Sequence, residues 1–167
     1  GGPAGCEAAR VAAERGHHVI LFEASDRLGG QINLAGKVGW RKDLNSITDW
    51  LAAECHRLGV DIKYNQFADE AMILAENPDV VIMATGGIPH TEWVEGNANI
   101  LTTWDVLSGM ASPEGNVLIH DQTGLNVAMA ATDYLSEKGV QVTLNTQDAY
   151  IGHEAMRLEM SPFMKRF

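Results

Sequence analysis

Gly1-Gly2-Pro3-Ala4-Gly5 opens the chain, runs into the Ala-rich stretch Cys6 to Glu14, and is followed by Val19-Ile20-Leu21-Phe22-Glu23. Pro3 near the start and Gly16 just past the end predict a helix from Pro3 or Ala4 to Glu14. Gly2-Pro3-Ala4-Gly5 fits the last four positions of G-x-G-x-x-G, with Gly1 in the variable second position; the first glycine and the strand before it are missing. In that pattern the middle glycine, here Gly2, lets backbone approach a pyrophosphate, and the last, here Gly5, lets the helix sit tightly on a strand. The helix N-terminus adds unbonded N–H groups and the positive end of its dipole. Gly-rich turns before helices are common and many serve only the backbone, so a second element has to carry weight. Glu23 is that element: it lies 18 residues past Gly5, at the carboxyl end of the strand 19–23, where an acid accepts hydrogen bonds from ribose hydroxyls.

Outward from this stretch, short β-type runs alternate with helical patterns, the signature of a parallel α/β sheet. The expected strands are Val19–Glu23, Asp61–Asn65, Asp79–Thr85, Asn116–Asp121 and Gln141–Thr146. Most are nearly continuous in apolar character, which suits strands covered on both faces. A second helix is expected over Asp43–Leu58, with Leu44, Ile47, Trp50, Leu51, Cys55 and Leu58 on one stripe, and a third over Leu125–Lys138. Thr102-Thr103-Trp104-Asp105 reads as a helix start with Thr102 as cap. Linkers are expected at Gly86–Gly96 and Gly109–Gly115, which puts a boundary near 110: residues 1–110 form one domain and 111–167 the start of a second. The stretch from Ala149 to Phe167 has no assignable periodicity.

Two further glycine turns fall at carboxyl ends of expected strands, where ligands of open α/β sheets gather. In Arg27-Leu28-Gly29-Gly30-Gln31 the Gly pair lets the chain fold back over the crevice. Gln31 offers an amide there, and Arg27 either a cation or a surface partner for Asp26 or Glu23. Ala84-Thr85-Gly86-Gly87 closes the apolar run from Asp79.

The 167 residues are 46% hydrophobic and 20% charged, enough to bury a core. Twelve Lys and Arg against 22 Asp and Glu leave a net charge of −10, which speaks against nucleic acid as a partner. Cys6 and Cys55 have no C-x-x-C spacing, so neither a disulfide framework nor a zinc or iron–sulfur site is expected, and a reducing, cytoplasmic setting fits. The longest apolar runs fall well short of the roughly 18 to 20 residues of a membrane span. His17 and His18 read as turn residues, and His120-Asp121 and His153-Glu154 lack the second His of metal motifs. Trp40, Trp50, Trp93 and Trp104 are scattered; Trp50, on the helical stripe, is expected in the core. No nucleophile elbow, Ser–His–Asp order or carboxylate pair is present, so any chemistry belongs to a cofactor.

The ordered set GGPAG, VILFEA, RLGGQINLA, PDVVIMATGG and TTWDVL resembles the C-terminal nucleotide-binding region of NADH:flavin oxidoreductases related to old yellow enzyme. That family includes 2,4-dienoyl-CoA reductase, trimethylamine dehydrogenase, histamine dehydrogenase and demethylases of N-methylated amino acids. The resemblance implies a Rossmann-like, doubly wound parallel sheet of the FAD/NAD(P)-binding type, truncated, with a second Rossmann-like unit beginning after it. It further implies that residues 1–110 hold FAD, or ADP alone, with Gly2, Ala4 and Gly5 at the pyrophosphate, Glu23 at the ribose, and Arg27 and Gln31 closing over the cofactor. Ala68 matches the position whose backbone reads adenine, and Thr85 and Gly86 approach the pyrophosphate or flavin side. FMN and an iron–sulfur cluster would belong to an N-terminal flavin barrel of the same chain, outside this sequence. Homo-oligomerisation is left open.

Where NADPH-using relatives have a second glycine fingerprint, this chain has Asn116-Val117-Leu118-Ile119-His120-Asp121-Gln122-Thr123-Gly124, and only Gly124 survives. Asp121 stands where glycine is expected and would crowd and repel a pyrophosphate, so this second unit is expected not to bind NADPH. Three readings follow: a nucleotide-binding fragment of a flavin-dependent amine dehydrogenase, demethylase or enoate reductase, inactive alone; a non-catalytic ADP-binding scaffold; and an NAD(P)H-dependent 2,4-dienoyl-CoA reductase fragment. A stand-alone NAD-dependent dehydrogenase would need a catalytic domain for which no residues are present.

Overall fold

The computed structural model describes residues 1–91, 99–155 and 157–166. Contacts group Gly1–Gly36 with Trp40–Ile88 as one unit and Lys37–Gly39 with Pro89–Phe167 as another.

The first unit carries α1 (Pro3–Glu14), β1 (Ile20–Phe22), α2 (Ile32–Ala35), a 3-10 turn entered at Gly39, α3 (Asn45–Arg57), β2 (Asp61–Lys63) and α4 (Glu70–Ala75). β1 and β2 pair in parallel, Ile20 with Asp61 and Phe22 with Lys63. Bonds from Asp61 N to Val19 O and from Glu23 N to Lys63 O, each 3.0 Å, carry the pairing one residue further at each end. The expected strand over 19–23 is therefore met. Parallel strands must be joined by a crossover, and here it runs through α3, which packs beside α1. Between them lies a core of Cys6, Ala9, Leu28, Leu51, Cys55 and Val60.

The second unit carries α5 (Thr103–Ser108), β3 (Asn116–Asp121), α6 (Asn126–Glu137), β4 (Gln141–Thr146) and α7 (Arg157–Met164). β3 and β4 pair in parallel along six residues, from Asn116 with Gln141 to Asp121 with Thr146. Val106, Ile119, Ala128, Ala131 and Leu135 form its core. Thr102 and Asp105 make the reciprocal capping box at the start of α5, with Thr102 Oγ1 accepting from Asp105 N and the Asp105 carboxylate accepting from Thr102 N. Both units are strand–helix–strand pieces of a Rossmann-like α/β fold.

Three expectations change. The run Asp79–Thr85 forms no ladder among the described residues, and Val80, Val81, Ile82 and Met83 are 77, 47, 64 and 72% exposed. A buried parallel strand needs a hydrogen-bonded neighbour, and among the described residues none pairs with this run. On α3 the buried stripe is Thr48, Leu51 and Cys55; Ile47 and Trp50 are 44 and 53% exposed. Trp50 lies instead under the guanidinium of Arg10 of α1, 5.5 Å from the ring centre. The stretch 149–167, unassigned from its pattern, contains α7, and Arg166 beyond it binds the buried Asp133 of α6 through both carboxylate oxygens. Trp93 and residues 92–96 of the expected linker lie outside the described residues.

Among the described residues no helix is long and apolar enough to cross a membrane. Cys6 and Cys55 are free and buried, and burial, helped by the neighbouring Cys55, pushes the Cys6 thiol up to about 11.

Each large apolar side chain left in water forfeits roughly 1.5–3 kcal/mol of burial, so four in a row are a serious loss for a small unit. The isolated 167-residue chain is therefore expected to unfold at low temperature and without a sharp transition when followed by circular dichroism; a cooperative melt at high temperature contradicts this.

Candidate nucleotide-binding site

α1 begins without a side-chain cap. Gly2 is its N-cap, in extended backbone, and Pro3 takes the first helical position, where a missing N–H costs nothing. The first hydrogen bond of the helix runs from Cys6 N to Gly2 O at 2.9 Å. The N–H groups of Ala4 and Gly5 precede any carbonyl that the helix could offer them, so they are open donors at the positive end of its dipole.

Two glycine contacts shape the space in front of those donors. A β-carbon on Gly30 would stand 2.9 Å from the Gly2 α-carbon, and Gly30 has a φ of +51°, so both the spacing and the backbone conformation require glycine. The bond from Gly29 N to Gly1 O, 2.9 Å, fastens the same turn to the opening loop. On the other side, a β-carbon on Gly5 would lie 3.4 Å from Ala84 Cβ and 3.8 Å from Leu21 Cδ1. Gly5 thus sets α1 down close to β1 and to the start of the turn after residue 83.

Glu23, at the end of β1, faces this loop, with its Oε2 3.1 Å from the Gly1 nitrogen. Its Oε1 accepts from Ser25 N at 2.7 Å and Ser25 Oγ at 2.6 Å. Burial pushes the carboxyl upward and the hydrogen bonds from Ser25 N and Ser25 Oγ pull it down, with the net position below the usual glutamate range. The carboxylate is therefore held ionised, an acceptor fixed one strand away from the amide donors.

Gln31 and Gly86 meet as well. Gln31 Nε2 donates to Gly87 O at 3.4 Å and lies 3.7 Å from where a Gly86 β-carbon would be. Thr85 and Gly86 are exposed beside it. Arg27 is exposed, its carbonyl accepting from Ser25 Oγ at 2.7 Å, and among the described residues neither Asp26 nor Glu23 pairs with its guanidinium. Ala68 is half-buried just before Asp69, the N-cap of α4. The chain leading to it is tied to the end of β1 by Asn65 N to Ser25 O and Gln66 N to Glu23 O, both 2.9 Å. Gly2, Gly5 and Glu23 thus converge around the opening loop, Gln31 joins Gly86, and Arg27 and Ala68 flank the end of β1 without touching the others.

Sequence reasoning missed three supports. Ser25 holds Glu23, Cys6 Sγ donates to Gly1 O at 3.0 Å, and Asn33 Nδ2 donates to Leu28 O at 2.9 Å beneath the Gly29 turn. Only Ser25, two residues past the acid, had a local signal, since Ser and Thr commonly turn back on a neighbour at that spacing. Among the described residues no group of three or more His, Cys, Asp or Glu could hold a metal ion.

The fold and this loop define a Rossmann-like nucleotide-binding segment. Residues 1–41 match the family model for an NAD(P)-binding Rossmann-like domain. The chain is 46% identical, over 98% of its length, to a probable N-methylproline demethylase of Rhizobium meliloti, and 47% identical, over 89%, to an N,N-dimethylglycine/sarcosine dehydrogenase of Chromohalobacter salexigens. It covers 24% and 22% of those proteins. Among solved structures, a 2-naphthoyl-CoA reductase superposes on 98% of the chain with a TM-score of 0.89 at 30% identity, the chain spanning 25% of it. Histamine dehydrogenase from Rhizobium sp. 4-9 superposes with a TM-score of 0.84 at 21% identity, which speaks to the fold alone. The chain is therefore similar, over about a quarter of their length, to these demethylases, dehydrogenases and reductases.

Gly30→Ala is expected to cost the full-length protein about 1–2 kcal/mol from left-handed backbone alone, and more from the clash with Gly2. Gly59→Ala, at a φ of +73° with nothing within 4 Å of its β-carbon, is the control that carries only the backbone cost. Denaturant titration of both checks this; equal losses would show that the Gly2–Gly30 approach is not tight. The lowered Glu23 carboxyl predicts a pH effect with a definite sign. Its contribution to stability is complete above the unfolded value of about 4.3 and is lost as pH falls through the folded value, so Glu23→Gln removes that acid-side slope.

Proposed function

We propose that residues 1–110 hold the ADP part of a dinucleotide, FAD or ADP itself, in a flavin-dependent oxidoreductase of the amine dehydrogenase, demethylase or enoate reductase type. The observation that carries this is the pairing of an uncapped α1 N-terminus with an ionised Glu23 facing the same glycine loop. The diphosphate takes the N–H groups of Ala4 and Gly5 across Gly2, and Glu23 accepts from the ribose hydroxyls. Ala68 lies by the adenine, and Arg27 and Gln31 close over the cofactor with Thr85 and Gly86. The residues fit such a group: a β-carbon on Gly30 would crowd the Gly2 backbone, and the acid is fixed by Ser25 before a ligand arrives.

Bound here, a flavin supplies hydride and electron transfer, while ADP supplies only a bound anion that fastens the loop. Substrate oxidation belongs to an N-terminal flavin barrel of the same chain, with FMN and an iron–sulfur cluster. The unpaired run at 80–83 supports a strand preceding Gly1 that would cover it, and the chain spans only about a quarter of its relatives' length. The setting is cytoplasmic.

Nucleotide released from the purified full-length protein by heat or acid is expected at one equivalent per chain. A second flavin beyond FMN identifies FAD, and ADP without a second flavin identifies the other form. Glu23→Ala is expected to weaken retention by about tenfold or more, the loss of a charge-assisted hydrogen bond. Full retention by Glu23→Ala, or no nucleotide in the wild type, contradicts the proposal.

A further inference from the structure

The turn after β3 leads into α6, a twelve-residue helix whose N-cap, Leu125, gives it no side-chain cap. In a strand–helix–strand unit this is where backbone N–H groups meet the phosphates of a nucleotide. Here two amides of the turn that leads into the helix, those of Thr123 and Gly124, are already taken. Asp121 Oδ1 accepts from Thr123 N at 2.9 Å, Thr123 Oγ1 at 3.0 Å and Gly124 N at 3.2 Å. Asp121 is only 2% exposed, and its other oxygen is buried with no hydrogen-bond partner.

The outer side of the same turn is covered by the chain that follows β4. Glu154 N donates to Gly124 O at 3.0 Å, and Asp148 Oδ2 sits 2.7 Å from where a Gly124 β-carbon would be. An approaching diphosphate would thus meet occupied amides and the Asp148 carboxylate, with backbone lying across the glycine.

We propose that Asp121 is a built-in substitute for a phosphate, which fills the anion cradle of the second unit and so excludes pyridine dinucleotides from it. The carboxylate does more than repel: it supplies the negative charge and the acceptor that the turn needs, and the turn is complete without a ligand. Reducing equivalents therefore do not enter this protein from NADH or NADPH through the second unit. This inference rests on residues 121–154 and stands whether the first unit binds FAD, ADP or nothing.

The test uses the full-length holoenzyme with the first nucleotide site saturated by added ADP or FAD. Wild type is titrated with NADPH and NADH up to about 1 mM, beyond the range of ordinary cofactor affinities, while hydrogen–deuterium exchange is followed over residues 122–129. No saturable binding and no added protection are expected. Asp121→Gly should speed exchange of that turn by at least about tenfold, and inorganic phosphate, offered as a replacement anion, should slow it again, with no phosphate effect on wild type. Saturable binding to wild type that protects residues 122–129 overturns the proposal, as does a folded Asp121→Gly protein that exchanges like wild type. If Asp121→Gly does not fold, the wild-type titration decides alone.

Discussion

Two stretches of backbone meet at Gly2 and Gly30 so closely that a β-carbon on Gly30 would clash with the Gly2 α-carbon, and the first unit is arranged around that meeting. The close approach brings the turn after β1 over the N-terminus of α1, and the bond from Gly29 N to Gly1 O keeps it there. Gly5 then lowers the helix onto Leu21 and Ala84, which fixes where the open amides of Ala4 and Gly5 stand relative to the end of β1. Glu23 extends from that strand end and is immobilised by Ser25. A helix dipole falls off within its first turn, so a carboxylate and an amide pair can divide a nucleotide between them only at fixed separation.

The two units solve the same electrostatic problem in opposite ways. Each has a helix that starts without a side-chain cap. In the first, glycine and proline leave the donors open, and the nearest acid sits one strand over, facing the loop. In the second, the acid is on the preceding strand itself and takes two amides of the turn before the helix. The position of one carboxylate, at residue 23 or at residue 121, separates a turn that still needs an anion from a turn that already has one. An acidic chain can present both, because fields at these distances are set by the local donors and not by net charge.

Much of this was legible from residue order alone. The bounds of α1 follow from Pro3 and Gly16, β3 and β4 from short strand-like runs rich in β-branched residues, and the capping box from Thr102 and Asp105, since each depends on interactions within a few residues. The role of Asp121 was legible as a clash; that its carboxylate would replace the anion needed the distances. Other features depend on partners far along the chain. The run at 79–85 has strand chemistry, yet pairing is a property of two segments, and among the described residues none pairs with it. Trp50 lies on the apolar stripe of α3, but which part of a stripe is buried is decided by where α1 packs, and Arg10 covers the ring instead. The site residues divide the same way: Gly2, Gly5 and Glu23 announce themselves by spacing, whereas the meeting of Gln31 with Gly86 and Gly87 comes only from folding.

The most direct measurement is the structure of the full-length protein with its nucleotide bound. The account requires the diphosphate within hydrogen-bond distance of the Ala4 and Gly5 amides and the ribose hydroxyls on the Glu23 carboxylate. A nucleotide whose diphosphate lies away from the start of α1, or whose ribose leaves Glu23 untouched, contradicts it.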